Sequence, residues 1–477
     1  MKKIISITAL IIITQFVTAQ NEVDVLRYSQ TFFSGSARST GMAGAFGALG
    51  GDFSSIGYNP AGLGVYRNSE FTITPGLYYN QTDAVYNGEL LTDSKYNINL
   101  NQIGFTGAFT SNADAGWVSS NFSIGYKRIN NFNKNILIEG SGVNSSITDY
   151  FLDQANFSAN PDLDQWADLV YTDTLGDGTV RNVTDFTGTN YGHEQSRSVR
   201  SEGYQGEWTF AYGTNFSHKI YFGAALGLQK IRYEQNLDHT ETDPDNQVPF
   251  FENLDYYDHF KTTGSGFNFK FGTIIRPIDI LRFGISVETP TFLNLEDEYW
   301  HDLESTINYP EGIGTNTYNS PEGYFEYEIT TPLKATGSLA VILKKFALIS
   351  VDYEIIDYSS ARIRSDEEAF TDVNKSVQTR YRSTGNLRAG AEFRYGPFSI
   401  RGGYALYGSP YNNNEVNKDA SQQIITGGIG IRENDFFFDL GFTHGLFNEK
   451  YYMYPSAQAT ELDSQTNKIL ATIGFKF

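Results

Sequence analysis

Three observations make the sequence an all-β protein, a transmembrane antiparallel β-barrel of about fourteen strands. From Glu70 onward, segments of about ten residues alternate apolar and polar side chains, as strands do between lipid and a polar lumen. The connections are alternately tight and long, and outer-membrane barrels likewise have short periplasmic turns and long external loops. The chain carries 32 Tyr and 36 Phe, enough for aromatic girdles at both interfaces. Its mean hydropathy of -0.36, with no long apolar run after the first residues, excludes a helical membrane protein.

At the N-terminus, Lys2 and Lys3 precede an apolar run from Ile4 to Val17, and Val17-Thr18-Ala19 offers small residues for cleavage. This is the pattern of an export signal, and the run falls short of the roughly 20 residues of a spanning helix. Residues 1–19 are therefore expected to be a signal peptide, 20–68 an N-terminal segment and 69–477 the barrel. The absence of cysteine removes disulfides, thiolate metal sites and cysteine nucleophiles. A formal charge of -20 argues against nucleic acid, whose phosphates need clustered Lys and Arg. The acidity reads as solubilising charge on long loops.

Strands are expected near 70–80, 98–110, 116–129, 204–217, 219–233, 262–275, 280–289, 328–343, 346–358, 384–395, 398–408, 421–432, 435–446 and 467–477. The number is even, as in single-chain barrels. The tight connections, at 111–116, Ser217-His218, 276–279, Lys344-Lys345, Gly396-Pro397 and 433–435, hold turn residues or charge. Residues two apart share a face. Leu387, Ala389, Ala391, Phe393 and Tyr395 should meet lipid, as should Phe398, Ile400, Gly402 and Tyr404, while in the last strand Ile469, Ala471, Ile473, Phe475 and Phe477 share one face. The charged residues Arg282, Glu288, Asp352, Glu354, Arg388, Glu392, Arg394 and Arg401 then fall inside. They would be costly in lipid and should pair in the lumen as structural clamps.

The longest loop, 133–203, holds two sets at helical spacing: Ile147, Tyr150, Phe151 and Ala155, then Leu163, Trp166, Ala167 and Val170. Two short helices over the barrel mouth are expected, their apolar faces packed together. The loops at 235–261 and 290–327 are also aromatic. Phe151, Trp166, Phe292 and Trp300 are the candidate ligand contacts.

The small-residue stretch from Gly41 to Gly64, closing on Asn59-Pro60-Ala61-Gly62-Leu63, resembles the hatch of the FadL/TodX (OmpP1) family of outer-membrane transporters. The segments 269–277, 281–284, Thr289-Pro290, 351–354, 357–359, 387–394 and 401–404 resemble that family's strands. The resemblance implies a plug formed by 20–68 inside the lumen, in the outer membrane of a Gram-negative bacterium. It further implies passive uptake of hydrophobic small molecules, long-chain fatty acids first among them. Asn59, Pro60 and Ala61 would fix the hatch beside a kinked strand, matched here by Trp117 to Ile129, whose kink opens a lateral exit. The residues themselves suit such a plug. Gly44 and its neighbouring glycines allow positive φ and close approach, Asp52 can cap a turn across 53–57, Pro60 restricts Asn59, and Gly62 lets the chain turn toward the wall.

The terminal Phe477 resembles the signal read by the barrel assembly machinery. Outer-membrane lipid and a hydrophobic substrate are the other expected partners, with the protein a monomer. The hemin-receptor-like branch of the family raises haem as an alternative cargo, and accessory barrels of secretion systems raise a scaffold that binds a protein. The six histidines hold no pair at ligand spacing. With no H-E-x-x-H motif or Ser-His-Asp grouping, no enzyme, metal or cofactor is expected.

Overall fold

The computed structural model describes residues 21–111, 115–157, 162–174, 179–310, 312–344 and 346–477. The expected signal peptide, 1–19, and parts of the turns at 111–116 and 344–345 lie outside them. Fourteen strands form the wall: β1 Glu70–Tyr86, β2 Glu89–Thr110, β3 Trp117–Asn131, β4 Glu194–Phe216, β5 Ile220–Thr242, β6 Phe251–Ile278, β7 Leu281–Glu288, β8 Lys334–Leu343, β9 Ala347–Asp357, β10 Ser383–Tyr395, β11 Phe398–Tyr407, β12 Gln422–Glu433, β13 Phe436–Tyr451 and β14 Thr460–Lys476. Each pairs antiparallel with the next, and β1 closes on β14 from Glu70↔Lys476 to Val85↔Glu461. Closure pairs the first strand with the last and removes the free sheet ends that a wall in hydrocarbon cannot carry.

The pleat sorts side chains as the alternation predicts. Ile285, Ile400 and Ile425 are 61–66% exposed on the outer face, whereas Arg388, Glu392, Arg401 and Thr472 are buried inside. So dense an apolar belt around a closed wall fits a bilayer. Two-residue turns join strands at one end, where Ser217 and His218 both take positive φ (54° and 56°), matching the twist of the hairpin.

The loops differ from expectation. The regions read as loops at 235–261 and 290–327 are largely strand: β5 and β6 run through the first, and the wall resumes above β7 as Phe292–Tyr309 and above β8 as Gly312–Asn319 and Gly323–Thr330. Similarly, β3 resumes as Lys134–Gly140. About ten residues of a tilted strand cross the membrane, and β5 has 23, so this side of the wall stands well above the bilayer. The first loop helix is present as Ile147–Phe157. The second is only a 3₁₀ turn, Leu163–Trp166, because the chain reverses at Ala167 with φ 47°. Together these elements form an apolar lid with Phe186, Phe251, Leu303 and Tyr454.

Candidate functional site

The N-terminal segment lies inside the ring, since its contacts reach wall strands all the way round. Ala37 N donates to Thr472 on β14 (2.7 Å), Gly47 N to Asp352 on β9 (3.0 Å), and Thr426 on β12 to Gly41 O (3.0 Å). Asp52 accepts from Ser54 N and Ser36 Oγ, both at 2.9 Å, and caps the turn Phe53–Gly57 as expected. Gly44 has φ +71°, and a Cβ there would lie 2.5 Å from Phe33. Gly62 receives Gly51 N at its carbonyl (3.2 Å).

Asn59 is a wall anchor. Its Oδ1 accepts from Ala61 N (3.1 Å), and its Nδ2 donates to Gly47 O (2.7 Å), Thr273 O (3.2 Å) and Ile285 O (3.4 Å). Pro60 and Ala61 lie against Gly223 of β5, and Asn59 against Gly272 of β6. The motif thus meets β5, β6 and β7, not the seam beside β3 that the sequence suggested. The seam below β3's irregularity is filled instead by Phe53, whose ring occupies the Cβ positions of Gly104 and Gly125.

The charged interior forms clamps. Glu392 accepts from Arg38 Nε of the hatch (2.9 Å), Arg401 Nε (2.6 Å) and Arg394 Nε (2.6 Å), while Arg401 also reaches Asp439 (2.6 Å). Arg388 lies 3.9 Å from Asp352 and 3.7 Å from Glu354. Arg282 does not join this network; its guanidinium donates to the hatch carbonyl of Leu49 (2.6 Å). A second network escaped sequence reading: Glu207 pairs with Lys270 and accepts from Gln229 (3.0 Å), and Lys334 lies 3.6 Å from Glu288. Of its members only Glu288 was expected inside; Glu207, Gln229, Lys270 and Lys334 lie within strands that give no sign of their partners.

Among the described residues the ladder between neighbouring wall strands breaks off between β2 and β3. Pairing between β2 and β3 ends at Gln102↔Lys127. Above it β2 continues to pair with β1 alone, after a bulge at Asn101 opposite Pro75, and β3 bulges at Ile129 against β4. Each bulge adds a residue and turns its strand away. A cavity of about 80 Å³, partly open, reaches this gap, lined by Phe32, Phe33 and Ser34 of the hatch, Asn99, Asn101, Arg128, Ile129 and Asn130 at the gap, and Tyr78, Ile424, Lys468 and Leu470 on β1, β12 and β14. The hatch residues 30–35 cross it as a strap: Phe32 N donates to Ile129 O (3.3 Å), Asn130 Nδ2 to Gln30 O (3.2 Å), Ser34 Oγ to Asn101 Oδ1 (3.0 Å), and Asn101 Nδ2 to Gly35 O. Tyr58 OH supports the strap through Ser34 O (2.7 Å). Pro75 within a strand pattern was the one signal in the sequence for this irregularity.

The predicted aromatic contacts lie elsewhere. Phe151 is 1% exposed and stacks on Trp166 at 4.7 Å, so these two hold the lid together. Phe292 is in a strand, not a loop, and lies on the outer face 5.5 Å from Phe267, at the level of the girdle. Trp300 shares that outward face and stacks on His259 at 5.5 Å. Neither reaches the lumen, because both regions read as loops are strands that keep the wall's alternation.

A buried polar cluster lies beneath the lid. Glu241 accepts from Ser146 Oγ (2.5 Å), Ile147 N (2.8 Å), Gln195 Nε2 (2.9 Å) and His239 Nε2 (2.9 Å), and lies 3.0 Å from His193 Nε2. These donors hold its carboxyl down at about 2 despite burial. Burial, with Arg197 nearby, pushes the His239 imidazole down to about 4. Arg197 Nε donates to His239 Nδ1 (3.2 Å), which leaves the proton on Nε2 and makes the pair a hydrogen-bonded latch rather than a metal-ligand set.

No family model matches the sequence, and no curated protein does. Among solved structures the chain is similar to a Pseudomonas aeruginosa FadL homologue, with a TM-score of 0.56 at 11% identity over 94% of this chain and 99% of that one. It is similar to the Pseudomonas putida toluene transporter TodX, with a TM-score of 0.54 at 14% identity over 94% and 100%. A third likeness is to the monoaromatic hydrocarbon channel CymD, with 0.50 at 12% over 94% and 98%. With its closed fourteen-stranded wall and plugged lumen, the chain has the fold of the FadL/TodX outer-membrane transport barrels.

Proposed function

We propose that the protein is a passive outer-membrane channel for hydrophobic small molecules, long-chain fatty acids among them, which leave the lumen sideways between β2 and β3. The observation that carries this reading is the unladdered seam above Gln102 and Lys127, with a cavity behind it. Lys127 lies ten residues above Trp117, where β3 begins, and ten tilted residues rise about 25 Å, to the outer interface of the bilayer. A molecule in the cavity therefore faces lipid, and burying each CH₂ group supplies about 0.8 kcal/mol without energy coupling. The toluene transporter TodX and the hydrocarbon channel CymD, which share the fold, handle apolar cargo by name. In this reading the strap at 30–35 moves and the rest of the hatch stays.

None of the six histidines lines the cavity, so haem gains no support from it. A scaffold barrel that holds a protein partner remains the contrasting reading, favoured by the packed lid.

Labelled oleate uptake by cells at matched surface levels tests the proposal. Deleting Ile129 removes the bulge and should let β3 re-pair with β2. Uptake above empty vector that this deletion abolishes is the expected result. Uptake equal to empty vector, or unchanged by the deletion, overturns the channel reading, and a copurifying protein would then point to the scaffold.

A further inference from the structure

A second aromatic rung stands on the outer face of the tall side of the wall. On β5, β6 and the strand Phe292–Tyr309, the outward positions run upward from Leu228, Phe267 and Phe292, all exposed at the girdle. The ladders keep register to this height, so the face is unbroken. The next three rungs are polar: Lys230, Ser265 and Asn294, then Arg232, Thr263 and Glu296, then Glu234, Lys261 and Glu298. Arg232 pairs with Glu234 at 3.1 Å, and Lys261 pairs with Glu298. Above them rings return. His259 stacks on Trp300 at 5.5 Å, and Tyr257 lies 5.0 Å from the same indole. The chain from Phe267 to His259 rises about 20 Å in a tilted strand, so these rings lie above the girdle. They are also fixed in place: Asn236 Oδ1 accepts from Tyr257 OH and from His259 Nδ1, both at 2.7 Å. That leaves His259 Nε2 as an acceptor, and among the described residues neither it nor Asn236 Nδ2 has a partner. Arg200, paired with Asp238 at 3.3 Å, and Asp302 complete the rim.

We propose that Tyr257, His259 and Trp300 form a saccharide platform that holds the core sugars of an outer-leaflet glycolipid, lipopolysaccharide. The face continues the lipid-facing belt on the same strands, so the molecule beside the rings is the one whose acyl chains meet Phe267 and Phe292. In such a lipid, phosphates follow the chains and sugars follow the phosphates. Up the wall the order is the same: apolar belt, then the rungs that carry Lys230 and Arg232, then rings. A pyranose offers an apolar C–H face to aromatic rings, and its hydroxyls match Asn236, Asp238, Arg200 and Asp302, which both donate and accept. With Asp238 and Asp302 at the rim against Arg200 alone, the platform suits neutral sugars rather than phosphate. The proposal rests on the outer-membrane placement in the reading above and not on transport.

The test uses the full chain in phosphatidylcholine nanodiscs seeded with equal amounts of two lipopolysaccharides, one with a complete core and one truncated to lipid A and its inner acidic sugars. Mass spectrometry reads which form stays with the protein through lipid exchange. Wild-type protein should retain the complete-core form by about fivefold or more. Tyr257→Ala with Trp300→Ala should abolish that preference, while Tyr257→Phe with Trp300→Phe should keep most of it. Tyr96→Ala, which removes an exposed ring on β2, should leave it unchanged. If the alanine pair fails to fold, Trp300→Ala alone carries the same comparison. Equal retention of the two forms by the wild type overturns the proposal. So does a preference that survives the alanine substitutions, which would leave the rings a cross-strand packing unit. A copurifying protein lost from the alanine variant, without any glycolipid preference in the wild type, would overturn it in favour of a protein partner. Oleate uptake equal to empty vector beside an intact preference would keep the platform and defeat the channel.

Discussion

The hatch meets the wall in two different ways. Against β5 to β8 it is seated backbone to backbone: a Cβ at Gly223 would lie 2.2 Å from Pro60 C, and one at Gly284 2.3 Å from Gly47 O. At the seam of β2 and β3 it is tied by asparagine and serine side chains and the single backbone bond from Phe32 N to Ile129 O, across a gap with no ladder. The first contact cannot shift without a clash or a void, and dense packing penalises both. The second can open by exchanging a few hydrogen bonds with water, each worth about 1 kcal/mol net. The two sectors thus divide the hatch into a fixed body and a movable strap.

The largest expected effect breaks the fixed side. Gly284→Val would drive a side chain into the Gly47 carbonyl, which is backbone and has nowhere to go. We expect the hatch to be unseated, with a loss of about 3 kcal/mol or more, read as urea unfolding in lipid and as protease access to residues 37–60. Gly337→Ala, whose added Cβ meets nothing within 4 Å, is the control and should change stability by less than about 0.5 kcal/mol. Equal behaviour of the two would show that close approach at Gly284 does not seat the hatch. Next comes Glu392→Leu, which strands Arg38 and Arg401 without their shared carboxylate. Breaking a buried pair in this way costs about 3–5 kcal/mol, and a variant as stable as wild type would show that the clamp does not hold the hatch.

How much of this was legible follows from what alternation can encode. Ile400 and Arg401 were assigned to opposite faces because each strand repeats every two residues, and the structure places them so. Asp52 was found because a cap is local, needing only Asp52 and Ser54. The role of Glu392 as a shared acceptor was not legible, since its partners Arg38 and Arg401 are distant in sequence or on the next strand. Phe292 and Trp300 were misplaced for a different reason. A strand that rises above the bilayer loses its apolar-out pattern and reads as polar loop, although its ladder continues. The seam left Pro75 as its trace in the sequence, because the bulge at Ile129 has no compositional signature.

The lid asks whether the extracellular side opens under conditions that leave the seam shut. Residue 239 is nineteen positions above the start of β5 and so stands outside the membrane. The His239 imidazole, at about 4 in the fold against about 6.5 unfolded, binds protons more readily when the lid is unfolded. Its contribution is therefore present above about pH 6.5 and lost as the pH falls toward 4, on the order of 3 kcal/mol in total. Glu241, depressed to about 2, contributes above its unfolded value near 4.3 and loses that contribution only in stronger acid. Hydrogen exchange of the amides in 147–157, corrected for intrinsic rate, should accelerate between pH 7 and 5. His239→Gln should flatten that dependence, and acceleration of equal size in this variant would move the effect to another group.

The smallest energetic change tests the strap itself. Ser34→Ala with Asn101→Ala removes the hydrogen bond between hatch and seam and the bond from Asn101 to Gly35 O. The expected loss is only about 1–2 kcal/mol, too little to unseat a body held by Gly284, Glu392 and Asn59. Because that loss falls on the closed state of the strap, the open population and the rate of oleate uptake should rise roughly five- to thirtyfold, provided strap opening limits the rate. Asn59→Ala, in contrast, removes bonds to Gly47, Thr273 and Ile285 on the fixed side. It should lower unfolding stability by a similar amount without raising uptake. Faster uptake from Asn59→Ala and none from the strap variant would reverse the assignment and make the seated face the gate.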